Sequence, residues 1–137
     1  MDLNYAFTQI NWLSVIVSAL AAFAVGSLWY SPVLFGKKWQ VLVKLSDEDI
    51  KNSNMVLIFG STFLLNILAA LVLDMFLGRD ATLVFGLIAG LMVSVFWIGS
   101  SFAINYLYTR KPFKLFLIDA GYYVTFYGIM GIILGAW

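Results

Sequence analysis

Long apolar runs dominate the chain, and short polar segments separate them. The first run, residues 3–36, contains no charged side chain, and three further long runs follow it. A helix that crosses a bilayer needs about 20 apolar residues in succession, whereas a soluble chain of this size needs polar surface. The pattern therefore predicts an all-α, polytopic membrane protein with four transmembrane helices. The lipid bilayer is then one of its interaction partners.

Interfacial and helix-terminating residues set the limits of the predicted spans. Trp12 and Trp29 flank the first span, since Trp is enriched at membrane interfaces. The Arg79–Asp80 pair separates the second span from the third, and Pro112 ends the third because proline does not continue a helix comfortably. We place the spans at residues 10–30, 55–77, 82–108 and 115–137, within a single domain of residues 1–137.

The segment between the first and second spans has a pattern of its own. Phe35 and Trp39 are at helical spacing with lysines nearby, which predicts a short interfacial amphipathic helix. Ser46 and Asp49 form a capping-box pattern, which predicts a helix that begins near Asp47 and continues into the second span. Two interpretations stay open for this segment: a hairpin whose lysines contact anionic headgroups, or a surface that docks a partner.

Lysine and arginine are distributed unevenly, which predicts an orientation. The segments after the first and third spans carry seven of these residues, the segment after the second carries only Arg79, and the terminal segments carry none. The positive-inside rule therefore predicts a multi-pass protein of the inner (cytoplasmic) membrane with both termini outside. Because the chain opens with Asp2 and its first apolar run is of span length, we expect no cleavable signal peptide.

Composition supports this class and narrows the chemistry. Of the 137 residues 63% are hydrophobic and 11% are charged, and the mean hydropathy is +0.96. A net charge of +1 argues against nucleic-acid binding. The chain has neither Cys nor His, which removes thiolate chemistry, the usual general base and the commonest metal ligands. We expect no catalytic residue, no metal and no cofactor.

Small residues recur at four- or seven-residue spacing on three of the predicted spans. Such rows let helices approach closely in lipid, where burial of apolar area offers little. They serve packing within one chain or between chains, and the second alternative predicts a homo-oligomer or a larger membrane-protein complex. The rows are Ser14, Ser18, Ala22 and Gly26 in the first span, Gly86 and Gly90 in the third, and Gly121, Gly128 and Gly135 in the fourth.

One ionisable residue lies inside the predicted fourth span, where a charge is costly unless it is paired or hydrated. Asp119 is about one turn from the predicted cytoplasmic end. Two interpretations stay open: an ion pair or helix-cap cluster that pins the loops to the bundle, or a proton- or solute-binding carboxylate. We expect Asp119 to belong to a polar cluster at the cytoplasmic rim with Asn105, Tyr30, Ser31, Lys37 and Arg110.

Further polar residues lie elsewhere in the predicted spans. Asn66 is near the middle of the second span, which predicts an interhelical hydrogen bond. Tyr127 is a mid-membrane polar residue of the fourth span, and it either packs as an aromatic or lines a pocket for a flat apolar ligand. We expect Asp74, near the outer end of the second span, to snorkel or to pair with Arg79.

Several segments resemble the signature of a known family. They are residues 29–39 (WYSPVLFGKKW), 45–50 (LSDEDI), 104–107 (INYL), 117–122 (LIDAGY) and 131–137 (GIILGAW). Through them the chain resembles the domain of unknown function 1761 family of small bacterial membrane proteins, over nearly its whole length. The resemblance implies a four-helix membrane protein and supplies no activity. Family members often carry a His where this chain has Tyr123, so the chain departs from their pattern there.

Three functions compete. The first is a non-enzymatic accessory or scaffold component that self-associates or packs into a larger membrane assembly; it needs no polar path across the bilayer. The second is a small dimeric transporter or channel with Asp119 as a proton- or solute-binding carboxylate, although transporters place such sites nearer the midplane. The third, an enzyme acting on lipid, lacks His, Cys and a close carboxylate pair. We favour the first.

Overall fold

The computed structural model describes residues 2–137, and the regular secondary structure in that range is entirely helical. Four helical runs are long and apolar enough to cross a membrane, which confirms the predicted all-α class and its four candidate spans. The helices are α1 (Leu3–Thr8), α2 (Trp12–Trp29), α3 (Gly36–Leu42), α4 (Asp47–Lys51), α5 (Met55–Leu77), α6 (Leu83–Met92), a π-helical segment (Val93–Gly99), α7 (Ser100–Tyr108) and α8 (Phe113–Ala136).

Polar side chains begin the first three spanning helices. The side-chain oxygens of Asn11, Asn54 and Thr82 accept hydrogen bonds from backbone amides in the first turns of α2, α5 and α6, at 3.0–3.2 Å. These amides have no partner within the helix, so each cap stabilises a helix start at the end of an apolar run. The caps explain why the observed helices begin within two residues of the predicted spans.

The segment between α2 and α5 agrees with the prediction in part. Helix α3 forms where the amphipathic pattern predicted a helix, and the capping box of α4 is present, with Ser46 and Asp49 each accepting from the other's amide. The predicted continuation of α4 into the second span is wrong. Helix α4 ends at Lys51, and α5 begins under its own cap, Asn54, because this side chain competes with a continuous helix for the backbone amides.

Helix α8 is the most enclosed element of the bundle and packs against α2, α5 and α6. The most apolar stretch of α8 has 44% of its residues buried, whereas the most apolar stretch of α5 has only 17% buried. Helix α5 therefore lies at the periphery of the bundle. The interior is apolar over most of its length. Its buried side chains include Val15, Ala22, Ala70, Leu73, Phe126, Met130 and Leu134.

Two of the small-residue rows meet in the contact between α6 and α8. A Cβ added to Gly86 would lie 2.0 Å from the carbonyl oxygen of Gly131, and one added to Gly90 would lie 2.1 Å from that of Tyr127. Only glycine permits such backbone proximity. Gly135 belongs to the same contact, since its added Cβ would lie 2.5 Å from the Thr82 carbonyl oxygen.

The other small residues also face neighbours within the chain. Ser14, Ser18 and Ala22 are buried on α2. An added Cβ would meet the Tyr122 ring at Gly26, the Trp29 ring at Gly121, and the side chains of Leu87 and Leu91 at Gly128. The structure therefore uses these rows for packing inside one chain.

The third span is interrupted by its π-helical segment, which no sequence pattern predicted. Segments of π-helix are rare and occur mostly as single-turn bulges inside α-helices. Here the segment separates α6, which packs tightly against α8, from α7, which packs against α8 loosely. It therefore marks the point at which the third and fourth spans begin to diverge.

Candidate functional site

The end of the bundle that holds residues 30–54 and 109–114 carries seven of the eight Lys and Arg residues, and we call it the basic end. Asp119 lies on α8 near this end and is only 6% exposed. Its Oδ1 accepts a hydrogen bond from the Tyr30 hydroxyl at 2.7 Å, and its Oδ2 accepts one from the Tyr106 hydroxyl at 2.5 Å. We call these three residues the carboxylate clamp.

Each member of the carboxylate clamp comes from a different element. Tyr30 is the C-cap residue of α2, Tyr106 is on the last turns of α7, and Asp119 is on the second turn of α8. A carboxylate accepts hydrogen bonds on both oxygens, and bonds to an ionised acceptor are shorter and stronger than neutral ones. The clamp thus joins three of the four long helical runs through one buried carboxylate.

Aromatic rings surround the clamp. The Tyr30 ring meets the rings of Trp39 and Tyr122 edge to face, with centroids 5.5 Å and 5.2 Å away. The Tyr106 ring meets that of Phe102 in the same way at 5.4 Å. Edge-to-face contacts add to the apolar burial of such rings. These rings shield from water a carboxylate that accepts two hydrogen bonds from protein hydroxyls.

The structure brings together only part of the predicted rim cluster. Tyr30 and Asp119 are joined, but Asn105, Lys37 and Arg110 are exposed. Ser31 donates its hydroxyl to the Leu28 carbonyl oxygen at 2.7 Å instead. The hydrogen-bond partners that residues 2–137 provide to Asp119 are tyrosine hydroxyls rather than cations. Of the interpretations left open, the ion pair is therefore not the arrangement found in these residues.

Tyr106 is the member that the sequence analysis missed, since it assigned the neighbouring Asn105 to the cluster. The glycines of α6 give no simple signal for it, because a row of every fourth residue turns about 40° around an α-helix at each step. The π-helical segment between Gly90 and Tyr106 also changes which side of α7 faces α8, and no sequence pattern predicted that segment.

The middle of the bundle holds two polar atoms without partners. Asn66 is 5% exposed and Ser18 is fully buried, yet the Asn66 Nδ2 and the Ser18 Oγ make no hydrogen bond. The predicted interhelical bond from the Asn66 amide is therefore absent. The Phe23 ring of α2 packs against the rings of Phe59 and Phe63 on α5, with centroids 5.9 Å and 6.0 Å away. Because α2 and α5 are antiparallel, this contact places residues 18 and 66 at the same level of the bundle.

Tyr127, the other predicted mid-membrane polar residue, is half-buried and packs as an aromatic. Its ring contacts that of Phe126, with centroids 4.7 Å apart, and its carbonyl oxygen faces Gly90. The aromatic-packing alternative thus matches its surroundings.

At the opposite end of the bundle, Asp74 has a structural role. Its Oδ2 accepts a hydrogen bond from the Asn11 amide at 3.1 Å. Arg79, with which it was expected to pair, donates its Nε to the Gln9 carbonyl oxygen at 3.3 Å. Both contacts tie the start of α2 to the end of α5.

The described residues contain no group of three or more His, Cys, Asp or Glu side chains that could hold a metal ion. In a comparison with protein families, the family described as "Protein of unknown function (DUF1761)" matches residues 13–135. No curated protein and no solved structure matches the chain.

Proposed function

The chain belongs to the DUF1761 family of proteins of unknown function, and we propose that it is a non-enzymatic scaffold or accessory component of the inner membrane. In this proposal the basic end faces the cytoplasm, α3 lies in the interface on that side, and both termini are outside. One observation carries the proposal: each oxygen of the buried Asp119 accepts a hydrogen bond from a tyrosine hydroxyl of another span.

A carboxylate that binds a proton or a solute in turnover needs a path by which that ligand can reach it. Asp119 has its hydrogen bonds made by two other spans and is shielded by aromatic rings. Beyond it, the buried ridge of α8 continues with Tyr122, Phe126, Met130 and Leu134. This filled apolar ridge favours a clamp that holds the bundle together over a site on a transport path.

A scaffold also needs a surface for its partner, and we assign that surface to α5. The small-residue rows are already used inside the chain, but a Cβ added to Gly60 would meet no atom within 4 Å. The large apolar residues Val56, Phe59 and Leu64 beside it are 86%, 51% and 58% exposed. A glycine notch among large apolar side chains suits the close approach of another helix, and we propose that a second copy of the chain occupies it.

Cross-linking in native membranes followed by mass determination tests this assembly. We expect a species of twice the 15.3 kDa chain mass, which Gly60→Leu reduces and Val84→Leu, on the exposed face of α6, does not. A chain that stays monomeric at all cross-linker concentrations contradicts self-association. Recovery of the chain together with larger membrane subunits at a fixed stoichiometry would mean that its partner is a larger assembly rather than a second copy.

One observation favours the alternative, a small dimeric transporter or channel. The unpartnered Ser18 and Asn66 lie at the level where transporters place their binding sites, and Asp119 lies nearer the basic end. Proton flux into proteoliposomes containing a trapped pH-sensitive dye separates the two functions. The scaffold predicts the same leak for the wild type and for Asp119→Asn. A flux that Asp119→Asn abolishes while the oligomer remains intact contradicts the scaffold.

A further inference from the structure

A second feature of the basic end is a cavity of about 580 Å³ between α3 and the start of α8. Three of its lining residues are lysines and the others are apolar. The lysines come from both walls: Lys37 and Lys38 from α3, and Lys114 from α8. Phe35, Val41 and Leu117 are among the apolar residues that line it.

The local sequence fixes this cavity in place. The chain turns sharply after α2, and a Cβ on Gly36 would lie 2.2 Å from the Tyr30 carbonyl oxygen. The Phe35 amide donates to the Trp29 carbonyl oxygen at 3.0 Å, and the Trp29 Nε1 donates to the Ile118 carbonyl oxygen at 3.0 Å. Through these bonds α3 is held beside α8, so the walls are formed without a ligand.

The charge of the cavity is not balanced by its own walls. Among the described residues that line it, none is acidic. The nearest carboxylates along the chain have other partners. Asp119 follows the lining residue Ile118 and accepts from Tyr30 and Tyr106, and Asp47 accepts from the Gln40 side-chain amide at 2.7 Å. Three ammonium groups at one rim therefore present a field that favours an anion.

We propose that this cavity binds one anionic phospholipid, with the phosphate between the three lysines and the start of an acyl chain against the apolar wall. Lys114 lies on the first turn of α8, and the 54% exposed Leu117 follows one turn deeper into the span. This order of charge and then apolar surface matches a lipid headgroup and its chain, and lysines near the surface attract anionic headgroups. A soluble anion would not need the apolar wall.

Native mass spectrometry of the full chain from nanodiscs tests the site, with phosphatidylglycerol and phosphatidylcholine as the two probes. We expect one phosphatidylglycerol retained per chain and no retained phosphatidylcholine. The triple substitution Lys37→Gln, Lys38→Gln, Lys114→Gln lowers the retained fraction at least about tenfold. The matched control Lys44→Gln, Lys51→Gln, Lys111→Gln removes the same charge outside the cavity and leaves retention unchanged.

Each other outcome overturns the proposal. Equal losses from both triple variants would mean that the lysines act only through the general charge of the basic end. Displacement of the lipid by inorganic phosphate at equal concentration would mean a soluble-anion site. Retention of both lipids, or of neither, would mean that the cavity has no preference for an anionic lipid. The result is independent of self-association, because the cavity and α5 share no residue.

Discussion

Burying one carboxylate against two hydroxyls, as the clamp does, is a different solution from burying an ion pair. A lysine beside Asp119 would also have to lose its water, and the desolvation of two charges can exceed their attraction. Tyrosine hydroxyls donate to the carboxylate without adding a second buried charge. The rings of Tyr30 and Tyr106 also fill apolar space, so the same residues make the hydrogen bonds and the packing around them.

Removing one hydroxyl from the clamp tests its role. We expect Tyr106→Phe to lower the free energy of unfolding by about 1.5–3 kcal/mol, since it removes a hydrogen bond to a charged acceptor and keeps the ring. Tyr108→Phe is the matched control, because Tyr108 lies on the same helix and is 86% exposed. Equilibrium unfolding in mixed micelles measures both variants. Equal stability of the two would contradict the clamp.

At Asn66, in contrast to Tyr106, we expect that removal of the polar group does not lower the free energy of unfolding. Leaving a buried donor without a partner costs about 1–3 kcal/mol, so Asn66→Leu, which is close in volume, should keep or raise the free energy of unfolding. Ser18→Ala should act in the same direction for the same reason. Thermal unfolding in micelles measures both. A clear loss of stability in either variant would show that a water or another chain satisfies the group.

Asp119 also shows which residues of the carboxylate clamp could be predicted from the sequence. Its depth in the span follows from counting residues, and Tyr30 follows from being at the same end. Tyr106 does not follow from such counting, because the choice between it and Asn105 depends on which side of α7 faces α8. That side is set by the glycine contact in α6, which lies four to five turns away along the third span.

At the level of elements, the spans were predictable and their irregularities were not. Hydropathy, interfacial aromatic residues and helix-terminating residues gave limits close to those of α2, α5 and α8. The break between α4 and α5 depends on Asn54 capping a new helix, whereas the pattern from Ser46 onward suited a continuous one. The π-helical segment has neither proline nor charge to mark it, and its sequence reads as ordinary apolar helix.

The α6–α8 contact makes a prediction that the spacing of small residues alone does not. A Cβ on Gly131 would lie 2.1 Å from the Gly86 carbonyl oxygen, whereas one on Gly128 would lie 3.7 Å from a Leu87 methyl group. We therefore expect Gly131→Ala to destabilise the bundle by about 1–3 kcal/mol, since it forces the helices apart.

Gly128→Ala is the control for this substitution, because it lies one turn away on the same helix and meets ordinary van der Waals space. It should be neutral or slightly stabilising, as alanine favours a helix over glycine by about 1 kcal/mol. Thermal unfolding of the two purified variants, side by side, is the measurement. Similar melting temperatures for both would mean that α6 and α8 are not in backbone contact.

At the level of the whole molecule, the two ends and the two sides of the bundle differ. One end concentrates the cations, the clamp and the lysine-lined cavity, and the other is held by Asp74 and Arg79 contacts to the start of α2. Helix α8 is enclosed while α5 is exposed. The difference in charge between the ends was predictable, because it follows from counting Lys and Arg along the sequence. The position of α8 at the centre was not predictable, because it depends on how pairs of helices pack.

The orientation proposed from that difference in charge can be tested by labelling single cysteine substitutions. Because the chain has no Cys, no native cysteine has to be removed first. In spheroplasts, a membrane-impermeant maleimide should label Asp80→Cys, in the turn between α5 and α6, and should not label Thr109→Cys, in the turn between α7 and α8. After lysis both should react, since both positions are exposed. The reason is electrostatic: cationic segments are retained in the cytoplasm during insertion. Labelling of Thr109→Cys in intact spheroplasts would invert the molecule and place the lysine-lined cavity against the outer leaflet.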